Sequence, residues 1–285
     1  MKTLVVGAGA MGRWTGHVVA GALDAELFFL DRDPETARDA AATVGGRAVE
    51  SPGADAADRR FALVCVAVPV PAAATAIERY GSHAREAVVD VTGAMADPAA
   101  AMAGLTGRER ASLHPLFAPD SEPGNIPVVV EQRGPTVETL LAALEERGNG
   151  VFETTPATHD RAMETVQART HAAVLAFALA ASPVPERFHT PVSADLAALA
   201  DRVTGGDHRV YGDIQTAFDG AEEVAAAARR VADADEEAFE RLYREAGGRQ
   251  ESNTRDTGRV EDIGKKGNAR GTDPAGGHED GGEKE

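Results

Sequence analysis

The residues whose types and spacing could do chemistry fall into two groups. The first is Gly7-Ala8-Gly9-Ala10-Met11-Gly12, which follows the apolar run Leu4-Val5-Val6 and opens a helical pattern. In such a turn Gly7 permits the tight bend, Gly9 lets the backbone approach a pyrophosphate, and Gly12 lets helix pack closely on strand. The loop from Gly7 through Met11 to Gly12 then offers helix amides to the anion. Asp31 ends the second apolar run, 19 residues after Gly12. A carboxylate there accepts hydrogen bonds from ribose hydroxyls and repels a 2′-phosphate, which favours NAD over NADP. Arg32 pulls the other way, because a guanidinium can hold that phosphate or stack on adenine. Further on, Cys65-Val66-Ala67-Val68-Pro69 ends another apolar run, where the crevice of an open parallel sheet should lie, and the backbone at Val68 is expected to face the nicotinamide ribose. Cys65 itself reads as core, where apolar surroundings raise a thiol's pKa and make it inert.

The second group begins at His114. Ala111-Ser112-Leu113 runs into His114-Pro115-Leu116-Phe117-Ala118-Pro119-Asp120, which sets an imidazole at the carboxyl end of a strand, beside the same crevice. A lone histidine is more often structural, but one just before a rigid Pro-x-x-x-Pro loop is a candidate base. His159, Met163, Gln167 and His171 follow at steps of four. On a helix they form an inward stripe drifting about 40° per step. By pattern alone that stripe is packing and buried hydrogen bonding, and His159-Asp160 reads equally well as a helix-start feature.

These groups need a sheet edge to hold them. Residues 1-154 alternate short apolar runs with helical patterns, as in a doubly wound parallel sheet of the Rossmann type. Strands are expected at Leu4-Val6, Leu27-Leu30, Phe61-Val68, Ala87-Val91 and Ala111-Leu113, with edge strands at Ile126-Val130 and Val151-Phe152. Helices are expected near 11-22, 34-42, 70-80, 97-104 and 136-147. Strand signals stop at about 156. One long helix is expected from Thr158 to Ala181, then helices near 191-203, 208-218, 220-232 and 235-246. Together these make residues 155-248 an all-α domain. Residues 249-285 are polar and rich in Gly, Asp, Glu and Lys, which predicts a disordered tail.

Composition narrows the classes. The 285 residues carry 46 acidic and 29 basic side chains, a formal charge of -17. Such a surface repels nucleic-acid phosphates and anionic lipid, so neither nucleic acid nor membrane is expected as a partner. Before residue 249 there are 22 basic and 37 acidic residues, and Lys2 is the single lysine. A nearly lysine-free acidic body resembles halophilic proteins adapted to high salt, although a GC-rich genome also favours Ala, Arg, Gly and Asp. One cysteine allows neither an internal disulfide nor a cysteine-rich zinc site, so no metal is expected and the cytoplasm is the natural compartment. The apolar run after Met1-Lys2-Thr3 is too short for a signal peptide or a membrane span.

Leu113-His114-Pro115-Leu116-Phe117-Ala118-Pro119-Asp120, followed by Thr158-His159-Asp160 and by Met163, Gln167, Ala168, Arg169 and His171, resembles the prephenate dehydrogenase family of tyrosine biosynthesis, in order, over about 1-246. The resemblance implies a Rossmann-type domain, a helical dimerisation domain and a homodimer. It also implies oxidative decarboxylation of prephenate to 4-hydroxyphenylpyruvate with NAD, or less readily NADP. Under it His114 is the base that takes the proton of the ring hydroxyl, His159 is an active-site histidine, and Arg202 holds a substrate carboxylate. One departure stands out. Where the family has Asp-x-x-Ser-x-Lys, this chain has Asp90-Val91-Thr92-Gly93-Ala94-Met95, and Thr92 is the nearest substitute for the missing serine. Arogenate is the competing substrate, and a nucleotide-sensing protein without turnover is the non-catalytic alternative. Hydroxyacid-type dehydrogenases of similar architecture use a lysine in the helical part, where this chain has none.

Overall fold

In the computed structural model, residues 1–52 and 61–260 are described, with side chains to 248. The runs of β-branched and aliphatic residues form one eight-stranded sheet: β1 (Lys2–Val6), β2 (Glu26–Leu30), β3 (Arg47–Ala48), β4 (Phe61–Val66), β5 (Ala84–Asp90), β6 (Glu109–Leu113), β7 (Asn125–Gln132) and β8 (Gly150–Glu153). Their spatial order is β3-β2-β1-β4-β5-β6-β7-β8. All neighbours are parallel except β6 and β7, so the last two strands run opposite to the rest. The chain reverses its winding between β1 and β4, and a crevice is expected outside the carboxyl ends of strands at such a point.

Helices cover both faces. Every residue of β4 is buried, as expected for a parallel strand sandwiched between helical layers. Alternate side chains go to opposite cores. Val5, Leu63, Cys65 and Val89 join Trp14 and Val19 of α1 (Ala10–Leu23), Ala37 and Ala40 of α2 (Pro34–Val44) and Leu140 and Leu144 of α5 (Pro135–Glu146). Leu4, Val64, Val66 and Val88 join Ile77 of α3 (Ala73–Tyr80) and Met102 of α4 (Ala96–Met102). Cys65 is core as expected, and burial pushes its thiol up to about 12.

From Pro156 the described chain is helical: α6 (Pro156–Met163), α7 (Thr170–Ala180), α8 (Pro191–Thr204), α9 (His208–Ala217), α10 (Ala221–Ala232) and α11 (Glu236–Val260). The expected single helix from 158 to 181 is interrupted by a π-helical turn, Glu164–Arg169, between α6 and α7. Such a turn inserts an extra residue and re-aims the side chains around it. The described chain divides into two compact units, Met1–Ala225 and one that begins at Ala226. Within the second, Arg230 pairs with Glu245 at 2.8 Å. The tail expected from 249 falls partly on the end of α11 and otherwise outside the described residues. Among the described residues no helix is long and apolar enough to cross a membrane, and no group of three or more His, Cys, Asp or Glu side chains could hold a metal ion.

Candidate active site

The glycine loop leaves β1 at the reversal point. Gly7 has φ +90°, and a Cβ there would lie 2.2 Å from the Ala67 carbonyl oxygen. The residue must therefore lack a side chain on both counts. A Cβ on Gly12 would lie 1.9 Å from the Gly7 carbonyl oxygen, so α1 sits directly on the turn. Gly9 faces open space, with nothing within 4 Å of its Cβ position. The loop thus has the closeness where packing needs it and the clearance where a pyrophosphate would approach. Asp31 is tied to this loop: its Oδ2 accepts from Ala8 N at 2.8 Å and its Oδ1 from Asp33 N at 3.0 Å. Each oxygen keeps a second lone pair for a ribose hydroxyl. Met11 and Val68 are half-buried and Arg32 is exposed. The residues present therefore fit a dinucleotide.

The segment after β4 touches both the glycine loop and the loop beside the histidines. The Gly7 Cβ position is 3.0 Å from Val68 Cγ1, and the Gly93 Cβ position is 3.2 Å from Val70 Cγ2 and 3.6 Å from His114 Nε2. His114 follows β6 directly and is buried. Its Nδ1 lies 2.9 Å from His159 Nε2, and His159 Nδ1 lies 2.7 Å from Asp160 Oδ1. Two residues far apart in sequence are thus joined, and a third completes the chain.

The donors in this chain can be assigned. Asp160 is held below its usual carboxylate range: partial burial raises it, but the His159 hydrogen bond and the amides of Met95 and Ala96 outweigh that. A carboxylate only accepts, so His159 carries its proton on Nδ1. With its proton on Nδ1, His159 offers Nε2 as the acceptor for His114 Nδ1–H. His114 Nε2 is then the accepting nitrogen, beside Gly93 and 3.4 Å from the Gln167 amide Nε2. Burial is the largest cause that lowers His114 to about 3, the neighbouring His159 adds to it, and Asp160 pulls the other way.

The helix-start alternative for His159-Asp160 does not describe Asp160. It instead accepts from Met95 N and Ala96 N, both at 3.1 Å, at the start of α4. α6 is capped by Thr155, whose hydroxyl accepts from Thr158 N at 3.2 Å. Thr92 is buried, but its hydroxyl donates to Asp90 Oδ1 at 2.7 Å and forms no hydrogen bond to His114. Asp90 is fully buried and pushed up to about 7 by burial. Thr92 and Ser112, the latter in the neighbouring register position, pull that value back down, although Asp90 Oδ2 and Ser112 Oγ do not meet in full hydrogen-bond geometry.

The stripe of four does not act as one unit. Met163 joins Ala168, Ile214 and Phe218 in a small core with Ala94 and Leu116, which locks α6 and α9 against the loops after β5 and β6. His171 packs edge-on against Tyr211, with ring centroids 4.8 Å apart. Gln167, in the π-helical turn, brings its Nε2 to 3.4 Å from His114 Nε2. Arg202 lies exposed in the last turn of α8, and among the described residues it forms no hydrogen bond or ion pair with the two histidines.

A glycine loop fitted to a dinucleotide at the reversal point of a doubly wound sheet places the chain among Rossmann-type oxidoreductases. The comparisons agree. Residues 2–94 match the family model described as NADP oxidoreductase coenzyme F420-dependent. The 4-amino-4-deoxyprephenate dehydrogenase of Streptomyces pristinaespiralis is 33% identical over 272 residues, 86% of this chain and 89% of that protein. Among solved structures, prephenate dehydrogenase from Aquifex aeolicus in complex with hydroxyphenyl propionate and NAD+ superposes with a TM-score of 0.65 at 17% identity, covering 88% of this chain and 98% of that one. Synechocystis arogenate dehydrogenase gives 0.55 at 18%, covering 88% and 99%. The chain belongs to the prephenate dehydrogenase family.

Proposed function

We propose that the chain catalyses NAD-dependent oxidative decarboxylation of prephenate to 4-hydroxyphenylpyruvate. The observation that carries this reading is the buried, accepting Nε2 of His114, 3.6 Å from the Gly93 Cβ position on the loop after β5, with His114 Nδ1 tied to His159. Gly7, Gly9, Gly12 and Asp31 would hold the cofactor, with Met11 and Val68 beside it. Asp31 favours NAD because a carboxylate opposes a 2′-phosphate. When bound, NAD supplies the hydride acceptor.

His114 Nε2 accepts the ring-hydroxyl proton as the electron pair of the neighbouring C–H bond departs. Breaking the C–CO2 bond then feeds a pair into the ring, which becomes aromatic. His114 returns its proton to the phenol oxygen, so no net proton is consumed. General-base help reaches roughly 10²–10⁴ in rate when the base's pKa lies near the working pH; burial weakens His114 in this respect, and Asp160 pulls it back toward that range. Arg202 is assigned to a substrate carboxylate, since a guanidinium fork fixes that group's plane. Thr92, through Asp90, holds the loop that carries Gly93.

A homodimer through the helical residues 155-248 forms part of this reading. Its support is the exposed apolar surface of Leu179, Phe188 and Val192, at 88%, 65% and 77% accessible. A cytoplasmic setting fits the lone buried cysteine.

A second substrate is favoured by specific observations: the Streptomyces relative is named for 4-amino-4-deoxyprephenate, and Gly93 stands where the family has serine. The experiment is NADH or NADPH formation from prephenate, arogenate and 4-amino-4-deoxyprephenate, each with NAD and NADP. Prephenate with NAD is expected to turn over, and Arg202→Gln to raise its KM. Nucleotide binding without turnover of any of the three would overturn the reading.

A further inference from the structure

The π-helical turn places a residue beside His114 that spacing assigned to packing. Gln167 Nε2 is 3.4 Å from His114 Nε2, and Gln167 Oε1 is buried without a hydrogen-bond partner. An unpaired buried carbonyl is unfavourable unless something arrives to satisfy it. Whatever gives its proton to His114 Nε2 must come within hydrogen-bond distance of that atom, and so within reach of the carboxamide.

We propose that Gln167 is the specificity-determining contact for the heteroatom on the hydride-donating ring carbon, donating to the oxygen of an alcohol or, turned over, accepting from the N–H of an amine. This rests on the dehydrogenase reading above. An alcohol has one hydrogen, which goes to His114, and a free lone pair, which accepts from the Gln167 amide. A primary amine has two hydrogens, one for His114 and one for Gln167 Oε1. Rotating the carboxamide exchanges its nitrogen and oxygen, which are nearly equal in size. Gly93 keeps this arrangement simple. The Cβ of a serine there would stand 3.6 Å from His114 Nε2, bringing a hydroxyl that competes for the same lone pair.

The test compares kcat/KM for prephenate and 4-amino-4-deoxyprephenate in wild type, Gln167→Met and Gln167→Glu, with NADH affinity measured alongside. Gln167→Met is expected to lower both values about tenfold or more with NADH affinity unchanged, because a site built to hydrogen-bond its substrate loses that discrimination. Gln167→Glu can only accept when ionised, so it should raise the amine-to-alcohol ratio at least about tenfold. A ratio unchanged within twofold in Gln167→Glu, or both values kept within twofold of wild type in Gln167→Met, would overturn the assignment. So would an equal loss of NADH affinity in both, which would make Gln167 a packing residue. Wild-type enzyme that oxidises neither ring would instead remove the dehydrogenase reading, and this assignment with it.

Discussion

His114 Nδ1 and His159 Nε2 stand 2.9 Å apart, although 45 positions separate them in the chain. Only one of the two nitrogens can carry the shared proton. The direction is set by Asp160, whose carboxylate accepts from the far side of His159 and so sends a lone pair outward to His114 Nε2. The same carboxylate fixes the start of α4 through Met95 N and Ala96 N. One side chain therefore both orients the base and anchors the helix next to it.

Asp160→Asn is expected to reduce kcat by about 10²–10⁴, the scale of general-base catalysis, with little change in KM or NADH affinity. An asparagine offers one carbonyl where two amides and an imidazole need acceptors, so a loss of about 1–3 kcal/mol in stability should accompany it. Denaturant melts beside steady-state kinetics check both. A kcat within twofold of wild type would remove Asp160 from the relay.

Acid should act on folding through His114. In the unfolded chain its imidazole binds a proton near 6.5, whereas in the fold it does so only at about 3. Between those values the unfolded state holds more protons, so this group's effect is to lower stability as pH falls from about 6.5 toward 3. Asp90 has the opposite sign. Its fold value of about 7 lies above the ordinary 3.8, so its favourable contribution is complete below 3.8 and is lost as pH rises through 7. Asp90→Asn should therefore gain stability relative to wild type between pH 5 and pH 8, as read by urea melts at the two values.

The glycine loop separates packing from binding. Gly9→Ala puts a methyl into the clearance where a pyrophosphate would approach, and should weaken NADH binding about tenfold or more with the melting temperature nearly unchanged. Gly12→Ala meets the Gly7 carbonyl oxygen and should lower the melting temperature by several degrees. Fluorescence titration with NADH and thermal melts distinguish the two. The reverse pattern would mean that the loop has been assigned the wrong way round.

Charge predicts a salt response. With a formal charge of -17, self-repulsion weakens the compact state at low ionic strength, and salt screens it. The melting temperature and NADH-forming rate should both rise between about 0.1 M and 2 M KCl. A flat or falling response in both would favour codon usage as the origin of the composition.

Much of this was legible in the residues. Strand and helix alternation gave the sheet because period-2 burial and apolar runs are local properties, and only the two-residue β3 went unanticipated. The glycine spacing worked because Gly7 and Gly12 answer to backbone contacts that no side chain could share. The site was harder. His114 was visible from its place at a strand end, but the partnership with His159 is a tertiary fact. Asp160 looked like a cap because acids favour helix starts, and only the fold shows that the helix it serves is α4. Gln167 reads from spacing as part of the inward stripe with His159, packing and buried hydrogen bonding; its approach to His114 through the π-helical turn is a tertiary fact that spacing does not carry.

The central claim is that His114 Nε2 is the proton acceptor for the oxidation. Single-turnover formation of NADH from prephenate and bound NAD, in wild type and in His114→Asn, tests it most directly. The variant should bind NAD as tightly as wild type and form NADH at least about 10² more slowly. NADH appearing at the wild-type rate in the variant would contradict the account.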